Sequence, residues 1–80
     1  MVGREVMTSK RRSTPPVQLT DREVEVLQLV AEGLSNADVG ARLHITRLTV
    51  KSHLTRIGEV LGTGSRTAMV AFGFREGYLK

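Results

Sequence analysis

The side chains best suited to chemistry with a polyanion lie between Thr46 and Leu61. At about 100° per residue, a helix over 47–61 places Leu48, Ser52, Thr55 and Glu59 on one side. Lys51 and Arg56 flank them, and Arg47 sits in the first turn. Val50, Leu54, Ile57 and Leu61 fall opposite, at spacings of four, three and four. Such an apolar stripe anchors a helix and leaves its polar side free. A DNA major groove admits one α-helix, and its base edges accept hydrogen bonds from lysine and from hydroxyls. Lys51 is thus the expected guanine contact. Ser52 and Thr55 are short and reach a base only if the helix enters deeply. Leu48 is apolar on a side expected to be exposed. It meets a thymine methyl in the groove, or it is an isolated surface leucine of the common kind.

Arg47, Thr49, Arg56 and Arg66 suit phosphates, contacts that position a protein and add little sequence information. Thr46 and Ser35 stand at expected helix starts, where free backbone N–H groups can hold a phosphate. Capping alone is their default role.

Three further helices must position that face. Thr20-Asp21-Arg22-Glu23 fits a capping box, with Thr20 as N-cap and Glu23 three residues on. Val24, Val26, Leu27, Val30 and Ala31 follow along one broad side, and Gly33 is the expected stop. Ser35-Asn36-Ala37-Asp38 reads as a second capping box, opening a short helix to about Leu43. Val39 and Leu43 share its face, and Gly40 between them costs up to about 1 kcal/mol of helix propensity. Either a neighbouring helix approaches closely at Gly40 or the glycine is a weak point in an exposed turn. His44 and Ile45 form the turn into the helix capped by Thr46, and Gly62 ends that helix. Gly58 interrupts it and is expected to lower its rigidity. Ser65 caps a last helix of about ten residues, in which Ala68, Met69, Val70, Ala71, Phe72 and Phe74 put apolar groups on nearly every side. A helix without a polar face is either centrally buried or packed on another molecule.

Composition sets the frame. Eighty residues allow one domain at most. There is no cysteine, hence no disulfide and no cysteine-held zinc. No apolar run approaches the roughly 20 residues of a membrane helix, and no secretory signal is visible. A cytoplasmic location is expected. The net charge of +4 is unevenly spread. Residues 1–18 carry +3 from Arg4, Lys10, Arg11 and Arg12 against Glu5, and residues 19–41 carry −4. Residues 42–66 carry +4, and residues 67–80 carry +1. An acidic first helix before a basic second half suits a polyanionic partner on one face. Pro15 and Pro16 prevent a regular helix in residues 1–18, which read as a flexible basic arm or linker. The arm either adds attraction along a minor groove or is an unstructured linker.

From Leu19 to Phe72 the sequence resembles the LuxR-type (GerE/NarL-type) helix-turn-helix domain. The matching run includes Leu19-Thr20-Asp21-Arg22-Glu23, Val26-Leu27 and Ala31-Glu32-Gly33-Leu34-Ser35-Asn36. It continues through Arg42-Leu43, Ile45-Thr46, Thr49-Val50-Lys51-Ser52-His53-Leu54, Arg56-Ile57, Leu61-Gly62 and Ser65-Arg66-Thr67. The resemblance implies an all-α, four-helix domain over 19–80 with the third helix in the major groove. It implies base contacts at Lys51, Ser52 and Thr55, a phosphate contact at Thr49, and no catalysis or cofactor. It also implies pairing through the fourth helix, for which Val70, Ala71 and Phe74 are the interface candidates. Arg47 stands where this family often has an acidic residue, and Leu48 where it often has a polar or basic one. Such domains often form the output end of a response regulator. The chain is expected to be a fragment of a larger regulator or a stand-alone dimer.

Three other readings are weaker. A protein-docking module would use the apolar fourth helix, but gives no reason for Arg47, Lys51 and Arg56 around one helix. A sigma-factor-like promoter reader would need a surface for RNA polymerase, a further candidate partner. An enzyme is disfavoured: His44 and His53 are nine apart, Asp38 and Glu59 form no recognisable carboxylate pair, and Gly62-Thr63-Gly64 lacks the lysine and length of a nucleotide loop.

Overall fold

The computed structural model describes residues 18–80. The expected basic arm falls outside the described residues except for Gln18. Four helices follow: α1 (Asp21–Ala31), α2 (Asn36–Leu43), α3 (Arg47–Leu61) and α4 (Arg66–Arg75). The architecture is all-α.

Each helix opens on a hydroxyl cap, which satisfies one of the otherwise unpaired N–H groups of a first turn. Thr20 Oγ1 accepts from the Glu23 N–H at 3.1 Å, and Glu23 Oε1 accepts from the Thr20 N–H at 2.8 Å, a complete capping box. Thr46 and Ser65 accept from the N–H groups of Thr49 and Ala68. Ser35 accepts from the Asp38 N–H at 3.1 Å, but Asp38 makes no return bond to the Ser35 N–H. The expected second capping box is therefore a single cap. Aspartate is one methylene shorter than the glutamate or glutamine that closes such a box.

The helix ends differ in kind. Gly33 (φ +94°) and Gly62 (φ +75°) take left-handed backbone after α1 and α3, as glycine does at helix ends. His44 ends α2 at φ 61° without being glycine. The Ile45 N–H then bonds back to the Gly40 carbonyl at 2.9 Å, closing the α2–α3 turn.

The core draws on every element. Val26, Leu27, Leu29 and Val30 of α1 meet Val39 of α2, Val50, Leu54 and Ile57 of α3, and Met69 of α4. Leu61, expected within the buried stripe, is half-buried at its edge, as is Val24 on α1. Leu29 lies in the core although it falls outside the apolar side read from the sequence. Helix α1 contacts all three other helices, whereas α2 packs chiefly on α3. The last residues complete the core: the N–H groups of Tyr78 and Leu79 bond to the Gly73 carbonyl, and Leu79 is buried.

Two glycines mark close approaches. A Cβ on Gly40 would lie 2.5 Å from the Ile45 carbonyl oxygen, so the tight turn into α3 requires glycine there. A Cβ on Gly58 would lie 2.4 Å from the Thr63 carbonyl oxygen and 2.9 Å from Met69 Cε. Gly58 is thus a buried packing position where the α3–α4 connection crosses α3, and not a loosened point of the helix. Gly58→Ala is expected to lower stability by about 1–3 kcal/mol despite alanine's better helix propensity. Gly64→Ala, whose Cβ would meet nothing within 4 Å, is expected to stay within about 0.5 kcal/mol of the parent. Urea denaturation midpoints of the two variants check this.

Candidate nucleic-acid interface

Burial of Val50, Leu54 and Ile57 against α1 and α2 fixes the rotation of α3 about its own axis. Leu48, Lys51, Ser52, Thr55, Arg56 and Glu59 are all exposed as a result. Leu48, Ser52 and Thr55 follow one another at spacings of four and three, so they form one row along the open side. Leu48 is 69% exposed. His53, beside the buried stripe, is half-buried.

The polar groups around this row divide into free and engaged. Among the described residues, Arg47 and Lys51 hold no hydrogen bond or ion pair to protein, so their charges face solvent. The hydroxyls of Thr46 and Thr49 bond to each other at 3.0 Å at the start of α3. Ser35 is exposed at the start of α2 with its hydroxyl on the cap bond. Two arginines assigned to phosphates from the sequence also serve the fold. Arg56 donates to Glu23 Oε2, joining α3 to the first turn of α1. Arg66 donates to Asn36 Oδ1 at 2.8 Å and to the Leu34 carbonyl at 3.0 Å, joining the start of α4 to the α1–α2 connection. A guanidinium has five N–H donors, so each keeps donors for a second acceptor.

Glu23 is the residue that sequence reasoning undervalued. Its capping role was legible, but its burial was not: it is 3% exposed, and its second carboxylate oxygen goes to Arg56, 33 residues away. No local pattern connects those two positions.

Helix α4 resolves into two apolar faces. Met69 and Gly73 are buried, with Val70 and Phe72 half-buried beside them. Phe72 stacks with Tyr78 at 6.4 Å between ring centroids, and the Arg75 guanidinium lies 5.7 Å over the Phe72 ring. Ala71 and Phe74 point away from the core, and Phe74 is 49% exposed. Of the three interface candidates, Ala71 and Phe74 are open, while Val70 packs partly on the core. The described residues hold no group of histidine, cysteine and carboxylate side chains arranged for a metal ion. No helix of the described residues is long and apolar enough to cross a membrane.

A short helix, a three-residue turn, and a second helix anchored on one side and open on the other define a helix-turn-helix domain of the transcription-regulator class. The chain belongs to the luxR family of bacterial regulatory proteins, whose GerE model matches residues 17–72. It is 37% identical over 71 residues to the response regulator protein VraR of Staphylococcus aureus and to that of Staphylococcus epidermidis, matching 89% of this chain and 34% of each relative. Among solved structures it resembles the transcription factor GerE, with a TM-score of 0.74 and 32% identity over 78% of this chain and 92% of GerE. It also resembles the response regulator ChrA of a heme-sensing two-component system, with a TM-score of 0.73 and 39% identity over 86% of this chain and 34% of ChrA. The chain thus spans about a third of the length of the response regulators it matches.

The Glu23–Arg56 pair should behave as a coupled unit. Arg56→Gln leaves a buried carboxylate with one fewer partner, at a cost of about 1–2 kcal/mol after allowing for the half-exposed arginine. In a double-mutant cycle with Glu23→Gln, the two losses are expected to be non-additive by about 1 kcal/mol in urea denaturation.

Proposed function

We propose that this chain is a sequence-specific double-stranded-DNA-binding domain of a transcription regulator, with α3 lying in the major groove. The observation that carries the reading is the exposed side of α3, where Ser52 and Thr55 stand opposite the buried stripe and Lys51 is exposed on their flank. Lys51 donates to a guanine edge, and Ser52 and Thr55 contact bases beside it. Arg47, Thr49 and Thr46 hold phosphates at the start of α3, Ser35 does so at the start of α2, and Arg56 and Arg66 use their remaining donors on the flanks. The likeness to GerE and to two response regulators supports a regulatory role. In this reading the chain is the output portion of such a regulator, and RNA polymerase is a further partner for its outer surface.

Two copies pair through α4, with Ala71 and Phe74 at the centre and Val70 at the edge. Phe74, which the described chain leaves 49% exposed, favours this arrangement. It is also the observation that favours the second reading, a protein-docking surface on α4.

Selection of bound duplexes from a randomised pool at low and moderate salt tests the proposal. The expected result is an enriched pair of half-sites, whose spacing reports the distance between two α3 helices. Retention without enrichment would reduce the interaction to phosphate attraction, and no retention at low salt would favour docking. On the selected site, Arg47→Ala is expected to lower the slope of log affinity against log salt by about one while leaving sequence preference unchanged. Lys51→Ala is expected to relax the preference at one position, at a cost of about 1–3 kcal/mol. Phe74→Glu is expected to abolish paired binding and leave half-site binding, as read by gel shift on full and half duplexes.

A further inference from the structure

We infer that Leu48 reads the C5-methyl group of a pyrimidine at one end of the α3 contact, so that this domain senses a single methyl in the major groove. The inference rests on the placement of α3 proposed above and adds the ligand chemistry of one position to it. Leu48 and Phe74 are the large apolar side chains left exposed among the described residues, and Leu48 is the more open at 69%. The fold makes no use of its side chain: Leu48 is absent from the core and from the half-buried apolar residues packed on it. Its neighbours around the first two turns of the open side, Arg47, Thr49, Lys51, Ser52 and Thr55, are all polar. A leucine among them leaves apolar surface in water unless a partner covers it.

Its location specifies the partner. Leu48 lies in the first turn of α3 and heads the row that continues through Ser52 and Thr55. The N-terminal turns of a helix seated in the groove approach the base edges. At about 1.5 Å rise per residue the row spans roughly 10 Å, or about three base pairs at roughly 3.4 Å each. Hydroxyls serve polar edges at the far positions, and leucine meets the one apolar group the major groove displays, the methyl at pyrimidine C5. Thymine carries this methyl, and so does 5-methylcytosine.

The test uses the full chain and the half-site selected from the random pool. Each thymine is replaced in turn by uracil, which removes the methyl and leaves every hydrogen-bonding group in place. At one position the loss for the parent protein is expected to be about fourfold, the worth of one buried methyl-sized group. At that position cytosine in place of thymine is expected to weaken binding, and 5-methylcytosine to recover the methyl's share. Leu48→Ser is expected to bind thymine and uracil duplexes equally. The uracil series on the parent protein needs no variant, so a folding defect in Leu48→Ser would not decide the matter. Indifference of the parent to every uracil substitution would overturn the inference and leave the groove placement standing. So would a selected half-site without thymine, if 5-methylcytosine also had no effect. Equal sensitivity of the parent and Leu48→Ser would assign the methyl contact to another residue. Absence of any enriched site would remove the groove placement and this inference together.

Discussion

The structure depends on the burial of one side of α3. A helix of 15 residues with polar and apolar groups has no defined rotation in solution, because every orientation meets the same water. Val50, Leu54 and Ile57 remove that freedom by packing into a core built from α1, α2 and α4. Once those three are inside, Leu48, Ser52 and Thr55 must be outside, because residues on opposite sides of a helix cannot share an environment. The same side-chain periodicity that drives folding therefore aims the exposed row.

Polar contacts then set the edges of that arrangement. Glu23 bonds to its own N-cap residue and to Arg56, so the first turn of α1 is tied to the middle of α3. Arg66 ties the start of α4 to the α1–α2 connection through Asn36 and Leu34. These bonds add direction to a core whose apolar contacts alone are non-directional. They also give two arginines a structural duty beside any external one. Arg47 and Lys51 of α3 hold no such side-chain bonds among the described residues, so the fold leaves both of these α3 cations uncommitted.

Glycines allow these elements to approach closely enough. Gly40 lets the α2–α3 turn fold back against α2, and Gly58 lets the α3–α4 connection cross α3. Gly73 does the same for Leu79, whose side chain would lie 2.7 Å from a Cβ there. The last case explains why α4 looked apolar all round in sequence. One side of it is roofed by α1, α3 and the Tyr78–Leu79 segment, while Ala71 and Phe74 stay open.

Much of this was legible beforehand because it is local. A hydroxyl residue three positions before its N–H partner marks all four helix starts, and a repeat of three and four marks the buried side of α3. Those signals depend on residues within one or two turns of each other, so the sequence alone determined the four helices, the turn and the exposed row. What only the tertiary structure decided involves partners far apart in the chain. The Glu23–Arg56 pair, the Arg66 clasp and the burial of Leu79 leave no periodic trace, because each depends on how helices already formed are packed. Gly58 combines the two: within its own helix it reads as a weakness, and the approach of the Thr63 carbonyl at the helix end together with Met69 packed from α4 makes it a requirement.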